Sequence, residues 1–229
     1  LLFALERYQL AYETYQPLLT TIADPQTCGR AVLSLFRLQR LSEARKAAKT
    51  FAKRFDEDPV WPHRFQLEEG QYYLGQKNYE QALKQFRKLE KQEGAWSDDG
   101  AYYATVALWE QNLAAPSEES AARALEAQTR FIANYPDSPH AADIHLRLGH
   151  YYFALHQYLL AAGAFKAVVN SSAAPQGRQQ AIWMLLESYK KVYEYDEAYR
   201  TAARLLREFP AHPKRQVTEL EIGIILKET

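Results

Sequence analysis

The sequence is poor in the residues that form cross-links, flexible linkers and membrane spans: its 229 residues include one cysteine, one methionine, nine glycines and ten prolines. With Cys28 alone, neither an internal disulfide nor a zinc site of clustered cysteines can form. So few glycines and prolines exclude collagen-like and low-complexity chains. No apolar run approaches the roughly 20 residues that cross a bilayer, so no transmembrane segment is predicted.

The sequence also lacks an excess of charge of either sign, with 28 basic and 28 acidic residues. Dedicated nucleic-acid binders usually carry a strong basic excess, so nucleic acid is not a predicted partner. Hydrophobic residues make up 47% of the chain and aromatic residues 13%. That content is ample for a packed core and differs from a disordered composition.

The chain contains an internal repeat. One register runs through Gly70, Ala107, Gly149, Leu186 and Gly223, with steps of 37, 42, 37 and 37 residues. The long step predicts five extra residues, which we place in a loop between positions 112 and 120. Repetition at such spacing is typical of stacked supersecondary units.

Each repeat is predicted to consist of two helices. A second series of alanines, spaced by 38 residues from Ala44 to Ala82 and by 37 from Ala161 to Ala198, marks the second helix. Apolar residues recur at separations of three and four, and long period-two alternation is absent, which favours helices over strands.

Helix starts and helix crossings are also predicted. Asp24–Pro25 and Ser138–Pro139 place a capping side chain before a proline at the first helical position, and Asn78 is a third capping residue. Because antiparallel helices approach closely only over small side chains, we expect Gly149 and Ala161 to touch at a crossing.

The quoted residues resemble those of tetratricopeptide repeats. The fullest copy reads Leu148–Gly149, Tyr152, Ala161, Phe165 and Val168, and looser copies are built on Gly70 and Leu186. The resemblance covers essentially the whole chain. It implies an all-α fold, a right-handed superhelical solenoid of antiparallel helix pairs.

On this resemblance, 1–229 is a single array with approximate units 1–24, 25–61, 62–96, 97–137, 138–174, 175–212 and 213–229. The first unit holds only a second helix, marked by Ala11, Tyr15 and Leu18, and the last holds only a first helix. A solenoid unit cannot bury its apolar face alone. We therefore expect the protein to continue beyond both ends, or to self-associate through them.

A finer resemblance concerns the junctions between units. Asn134–Pro139 and Glu208–Pro213 are similar to repeats of bacterial cell-envelope proteins, such as the outer-membrane assembly lipoprotein and the Tol-Pal coordinator. This resemblance favours a periplasmic or cell-envelope location, with a cytoplasmic location as the alternative.

No arrangement of residues indicates catalysis. The sequence lacks the zinc, serine-nucleophile and phosphate-loop motifs. His140, His145, His150 and His156 cluster, but none are four residues apart on one helix face, as two helical metal ligands must be. The sequence therefore predicts no enzyme activity, no cofactor and no metal.

In the resembled family the first helices line a concave groove that holds a peptide. Aligning the repeats on their small residues assigns aromatic, leucine and polar side chains of this sequence to that face. Such a mixture suits a peptide groove with apolar anchors. The predicted groove residues are Phe36, Arg64, Gln71, Leu74, Gln111, Asp143, His150, Phe153, Gln180, Trp183, Glu187 and Lys190. The carboxylate-clamping cluster of chaperone-binding relatives is absent.

Basic residues concentrate between positions 37 and 54. Arg45, Lys46, Lys49 and Lys53 form either an ordinary solvated helix face or a docking patch for an acidic partner or a membrane surface.

The sequence predicts a non-catalytic scaffold that binds a protein or peptide in the groove. We expect this scaffold to be part of a larger complex of the bacterial envelope. Two alternatives stay open. One is a regulatory or substrate-recruiting repeat domain of a larger enzyme or polysaccharide-export machine, and the other is a cytoplasmic peptide-binding signalling sensor.

Overall fold

A computed structural model describes residues 6–17, 24–92, 94, 96–171 and 174–228. Leu18, which the sequence places in the first unit, lies outside these residues. The described part of the chain is all-helical, with twelve helices and no strand. Their bounds are α1 Tyr8–Tyr15, α2 Pro25–Arg37, α3 Leu41–Arg54, α4 Trp61–Gly75, α5 Tyr79–Glu90, α6 Ser97–Ala114, α7 Glu118–Asn134, α8 Ala141–Ala154, α9 Tyr158–Asn170, α10 Pro175–Lys191, α11 Tyr195–Glu208 and α12 Arg215–Glu228.

Residue contacts divide the chain into two compact units, Leu1–Ala127 and Gln128–Thr229. In unit 1 the helices from α1 to α6 each pack on the next, and in unit 2 those from α8 to α12 do the same. We call α2, α4, α6, α8, α10 and α12 first helices, and the others second helices. First helices also contact the next first helix, α2 with α4, α4 with α6, and α8 with α10. The predicted division of the chain into one array of repeats stays a prediction.

Two of the predicted helix caps form as expected, and one does not. The Asp24 carboxylate accepts the backbone N–H of Gln26 at 3.2 Å and of Thr27 at 2.8 Å, and Pro25 opens α2. The Asn78 side chain accepts the N–H of Gln81 at the start of α5. Ser138 lies in the turn before α8, which begins only at Ala141, so the expectation of a helix start at Ser138–Pro139 is wrong.

The turn inside a helix pair is the same four times. Gln39, Lys77, His156 and Tyr193 each have a φ between 57° and 60°, in the left-handed region. In every case the following N–H bonds the carbonyl five residues back, as from Arg40 to Leu35 at 2.9 Å. This is the Schellman arrangement, which closes a helix and reverses the chain direction.

The five extra residues of the long repeat step do not form a loop. Asn112–Ala114 continue α6, and Glu118–Ser120 open α7, so that only 115–117 connect the two helices. The expectation of a longer loop is therefore wrong, because the insertion lengthens the helices. Helical residues satisfy their own backbone hydrogen bonds, whereas loop residues depend on turns and water.

In two of the helix pairs, a glycine of the first helix packs against an aromatic ring of the second helix. A Cβ added at Gly70 would lie 2.3 Å from the Phe86 ring, and one added at Gly149 would lie 2.5 Å from the Phe165 ring. Both rings are fully buried. The ring of Phe165 thus lies nearest to Gly149 across the α8–α9 crossing, and the expected contact between Gly149 and Ala161 stays a prediction.

Gly149→Ala should destabilise unit 2, because the new methyl group has no room beside Phe165. We expect a loss of about 1–3 kcal/mol and a fall in Tm of about 2–4 °C per kcal/mol, measured by thermal unfolding followed by circular dichroism.

The matched control is Gly163→Ala in α9, where no described atom lies within 4 Å of the added Cβ. This change should raise stability by about 0.5–1 kcal/mol, because alanine is the better helix former. Equal shifts of the same sign in both variants would contradict the Gly149–Phe165 contact.

Candidate functional site

A polar cavity of about 210 Å³ lies between the first helices α2 and α4 of unit 1. We call it the α2–α4 cavity. Its walls consist of one ion pair, three glutamine side chains and one tyrosine, and a phenylalanine forms its floor. The lining residues are Phe36, Arg37, Gln39, Glu68, Gln71, Tyr72, Gly75 and Gln76.

An ion pair crosses this cavity from helix to helix. The Arg37 guanidinium donates to Glu68 Oε1 at 2.6 Å. Glu68 is only 8% exposed, whereas the arginine side chain keeps 42% of its surface. Burial raises the pKa of the Glu68 carboxyl, and the nearby Arg37 only partly opposes that effect. The pair therefore fixes a poorly solvated carboxylate at the cavity wall.

Glutamine side chains provide the remaining polar groups of the cavity. The Gln76 amide donates to Gln39 Oε1 at 3.4 Å, so one wall is closed by two facing amides. Gln71, a predicted groove residue, is hydrogen-bonded to the Tyr103 hydroxyl of α6. Each amide has two donor hydrogens and an acceptor oxygen, so capacity beyond these bonds remains for a bound molecule.

The other groove residues predicted in unit 1 lie in different surroundings. Phe36 is only 4% exposed and stacks on Phe65 at 6.4 Å, so it forms the cavity floor rather than a free anchor. Leu74 packs against the core around Phe86. The exposed Arg64 lies over the Trp61 ring at 5.4 Å. The structure thus brings Phe36 and Gln71 to one cavity and places Leu74 against the core around Phe86.

In unit 2, the predicted groove residues on α8 mostly bond with their neighbours. Asp143 accepts the Arg147 guanidinium at 2.7 Å on the same helix. Burial lowers the pKa of His150, which favours the neutral ring, and the Gln180 amide lies 2.9 Å from its Nε2. Phe153 contacts Tyr158, with ring centroids 5.2 Å apart.

Two predicted groove residues on α10, the half-buried Trp183 and Lys190, contact residues that follow α11. The Trp183 ring stacks with His212 at 5.8 Å, and Lys214 Nζ lies 4.1 Å from its centroid. Lys190 donates to Glu187 at 3.1 Å and also to Glu221 of α12. Burial alone would lower the Lys190 pKa, but these two hydrogen bonds raise it. Trp183 and Lys190 therefore act as links between helices in this structure.

The predicted basic patch on α3 divides into two parts. Arg45 donates to Glu69 at 3.1 Å and to the Tyr73 hydroxyl at 2.6 Å, so it ties α3 to α4. Lys46, Lys49 and Lys53 are exposed. They lie three and four residues apart, on one face of the helix.

Sequence reasoning overlooked a second basic cluster on α5. A cavity of about 560 Å³ is lined by five basic side chains and one acidic one, namely Lys84, Arg87, Lys88, Lys91 and Arg123 with Glu80, besides Leu83 and Gln111. Gln111, predicted in the groove, therefore lies here, away from the α2–α4 cavity. The α5 residues repeat the α3 spacing 38 residues later, and this repetition is the signal that could have revealed them.

Within the described residues, no group of three or more His, Cys, Asp or Glu side chains is arranged to hold a metal ion. Among the helices described, none combines the length and apolar character that a bilayer crossing requires.

The described fold is shared with solved structures at low sequence identity. PilF of Pseudomonas aeruginosa aligns with a TM-score of 0.59 and 11% identity, over 96% of this chain and 92% of that chain. BtubC (BKLC) of P. vanneervenii aligns with a TM-score of 0.59 and 14% identity, over 91% and 92%. TTC0263, a thermophilic TPR protein of Thermus thermophilus, aligns with a TM-score of 0.47 and 17% identity, over 89% and 99%.

No protein-family model matches the sequence, and no curated protein matches it either. At the identities above, the structural likeness extends to the fold. The predicted fold class, all-α with antiparallel helix pairs of the tetratricopeptide type, is confirmed by the helix packing within each unit and by PilF and BtubC.

Stability should depend on pH through Glu68. A carboxyl whose folded-state pKa is raised stabilises the fold below its ordinary value of 4.5, and this stabilisation is lost as pH rises through the folded-state pKa. Glu68→Gln removes this loss, so its Tm relative to the wild type should increase as the pH is raised from acid to neutral.

Thermal unfolding across this pH range measures the difference, with Glu119→Gln at an exposed position as the control. A Glu68→Gln variant that loses stability relative to the wild type as pH rises would show that Arg37 outweighs the burial of the carboxylate.

Proposed function

We propose that this chain is a non-catalytic scaffold whose first-helix faces bind an extended polypeptide segment, with the α2–α4 cavity as the principal contact. The observation that carries the proposal is the set of amide side chains around Arg37 and Glu68, open to solvent between two first helices. A cavity of about 210 Å³ is too small for a folded domain and suits one side chain with its adjoining backbone.

Glutamine amides match the chemistry of a peptide backbone. Gln39, Gln71 and Gln76 can each donate to a carbonyl and accept from an N–H, whatever the side chains of the bound segment. Phe36 below them offers an apolar contact to one inserted side chain. Because Arg37 and Glu68 neutralise each other, the cavity favours an uncharged side chain over an acidic or basic one.

The scaffold belongs, on this proposal, to a larger complex of the bacterial cell envelope. The support is the resemblance of Asn134–Pro139 and Glu208–Pro213 to envelope repeat proteins. Recruitment to a larger enzyme or polysaccharide-export machine, and peptide sensing in the cytoplasm, remain the alternative hypotheses.

Selection of a displayed library of short random peptides tests the proposed cavity. Gln71→Leu, which removes the amide at similar size, should weaken a selected peptide about tenfold, since each tenfold corresponds to ~1.4 kcal/mol and a hydrogen bond contributes about that much. Fluorescence anisotropy with the labelled peptide measures the affinity.

Gln180→Leu is the matched control, because Gln180 is an exposed glutamine on a first helix of unit 2. The α2–α4 cavity is rejected if Gln180→Leu weakens the peptide and Gln71→Leu does not. Failure to select any peptide would count against the scaffold function itself.

A second surface is favoured by basic residues of α3 and α5 together with Lys91 after α5 and Arg123 on α7. We call it the basic face: Lys46, Lys49, Lys53, Lys84, Arg87, Lys88, Lys91 and Arg123. The cavity on its α5 side holds five positive charges against one negative charge. Clustered charge of one sign raises the local concentration of the opposite charge. On this proposal the basic face docks an acidic protein segment, and the chain's zero net charge disfavours nucleic acid.

Reversing charge at the centre of the basic face should abolish binding of an acidic probe. With a labelled Glu-rich peptide, Lys84→Glu combined with Lys88→Glu should remove binding that wild-type protein shows at ~50 mM salt and loses by ~200 mM. Lys166→Glu, at an exposed position of α9, is the control.

A single-stranded oligonucleotide and anionic phospholipid vesicles serve as competing probes. If either probe binds as tightly as the Glu-rich peptide or more tightly, the proposal of an acidic protein segment is rejected and that probe indicates the partner. Loss of peptide binding in Lys166→Glu as well would show that only the general charge of the chain matters.

A further inference from the structure

The outer side of α9 in unit 2 is apolar and exposed. Leu159 and Leu160 are 64% and 55% exposed, and Leu155, in the turn before the helix, is 49% exposed. Lys166 is the only charged residue among the thirteen of α9. Since α9 packs on α8 and α10 with its other side, the outer side is part of the surface of unit 2. An exposed cluster of large apolar side chains is typical of an interaction site.

One continuous strip of α9 is accessible. The 3.6-residue period places its exposed and half-buried residues within about a third of the helix circumference. We call this strip the α9 face: Leu159, Leu160, Gly163, Lys166, Ala167 and Asn170. On the opposite side, Ala161, Phe165 and Val168 are at most 1% exposed. The α9 face is therefore free for a partner while the rest of the helix holds unit 2 together.

Four other second helices carry a polar pair where the α9 face has Leu160 and Gly163. In the repeat register the corresponding residues are Glu43 and Lys46 in α3, Gln81 and Lys84 in α5, Arg123 and Glu126 in α7, and Glu197 and Arg200 in α11. In α11 the two side chains form an ion pair at 2.9 Å. A solvated polar pair is thus replaced in α9 by a leucine and a glycine.

The glycine at the centre of the α9 face has no role inside unit 2 that would account for it. Glycine within a helix lowers stability relative to alanine. Gly70 and Gly149 admit an aromatic ring in return, but no described atom lies within 4 Å of a Cβ added at Gly163. The distance between two packed helices depends on the side chains at their contact, so Gly163 permits close approach of a helix from outside the described chain.

The α9 face is complementary in shape to a second copy of itself. When two α9 helices cross antiparallel with a two-fold axis at Gly163, positions equally far before and after this residue face each other. Leu159 then lies over the small Ala167 of the other copy, and Leu160 lies along the aliphatic stem of its Lys166. Each large side chain meets a small or flexible one, and the glycines lie at the point of closest approach.

Charge also favours a second copy over another kind of partner. In the antiparallel crossing the two Lys166 Cα atoms lie about 9 Å apart along the helices, on opposite sides of the axis, so no like charges meet. An acidic helix of another polypeptide would find a single cation on the α9 face. Electrostatic attraction therefore gives such a helix little advantage.

We propose that this protein forms a symmetric dimer in which the α9 faces of two copies pack antiparallel, with the two Gly163 residues at the crossing. The interface is isologous, so it closes at two copies and leaves no α9 face for a third. One helix from each copy gives a contact at the small end of specific interfaces, so the dimer dissociates on dilution. The contact shares no residue with the α2–α4 cavity or the basic face.

Sedimentation velocity of the complete 229-residue chain over a concentration series tests the dimer. The average mass should rise from that of a monomer toward that of a dimer, and not beyond. Leu160→Gln combined with Gly163→Lys gives α9 the pair that α5 carries as Gln81 and Lys84, and it should weaken association at least tenfold. Leu159→Gln alone should act in the same direction.

Leu113→Gln is the matched control for Leu159→Gln. Leu113 is likewise 64% exposed but lies on α6 of unit 1, so its substitution should leave association unchanged. Glutamine and lysine are better helix formers than glycine, so the double variant of α9 should unfold at no lower temperature than the wild type. Thermal unfolding followed by circular dichroism checks this point and separates lost association from lost folding.

Engineered cysteines test the antiparallel register. In an oxidised equimolar mixture, Leu159→Cys and Ala167→Cys variants should form a disulfide-linked dimer of one copy of each, because the two positions face each other. Two copies of either variant alone place their new cysteines about 12 Å apart along the helices, beyond the reach of a disulfide. The buried Cys28 is present in every sample and gives the same background.

A monomer at every concentration would overturn the proposal and assign the α9 face to a helix of another polypeptide. A dimer that survives both Leu159→Gln and the double substitution would also overturn it. If the mixture and the separate cysteine variants cross-link equally, the antiparallel α9 contact is rejected.

Discussion

The fit of a buried phenylalanine ring into a glycine gap organises this structure. At Gly70 and Gly149 the missing side chain lets the first helix approach the ring of its second helix at a distance that no other residue permits. In these two pairs the close approach sets the crossing of the helices, and dense packing carries that geometry to the neighbouring pair.

Electrostatic links between first helices add a second constraint, with consequences for function. Arg37 joins α2 to α4 through Glu68, and Lys190 joins α10 to α12 through Glu221. In unit 1 the link borders an open cavity, whereas in unit 2 the half-buried Trp183 contacts His212 and Lys214. Residues in equivalent places of a repeat therefore differ in what they can bind. This difference is why the proposed peptide contact lies in unit 1.

The sequence predicted which residues share the face of the candidate site, but not how deeply each of them is buried. The register placed Gln71 and Phe36 near each other, but it could not show that Phe36 is 4% exposed, because burial depends on Phe65 of another helix pair. It also assigned Leu74 and Gln111 to the groove; in the structure Leu74 is half-buried against the core around Phe86, and Gln111 borders the basic cavity. Helical periodicity reports which face a residue shares, and not what covers that face.

The sequence by itself determined that the described chain is helical, where α2 and α5 begin, and which residues share a register, since these follow from local hydrogen bonding and the 3.6-residue period. Tertiary structure alone decided that the Phe165 ring lies against Gly149, that the extra residues lengthen α6 and α7, and that Arg45 is tied to Glu69. Each of these outcomes depends on which side chains from distant positions compete for the same space or the same partner. That competition is settled only when the helices pack.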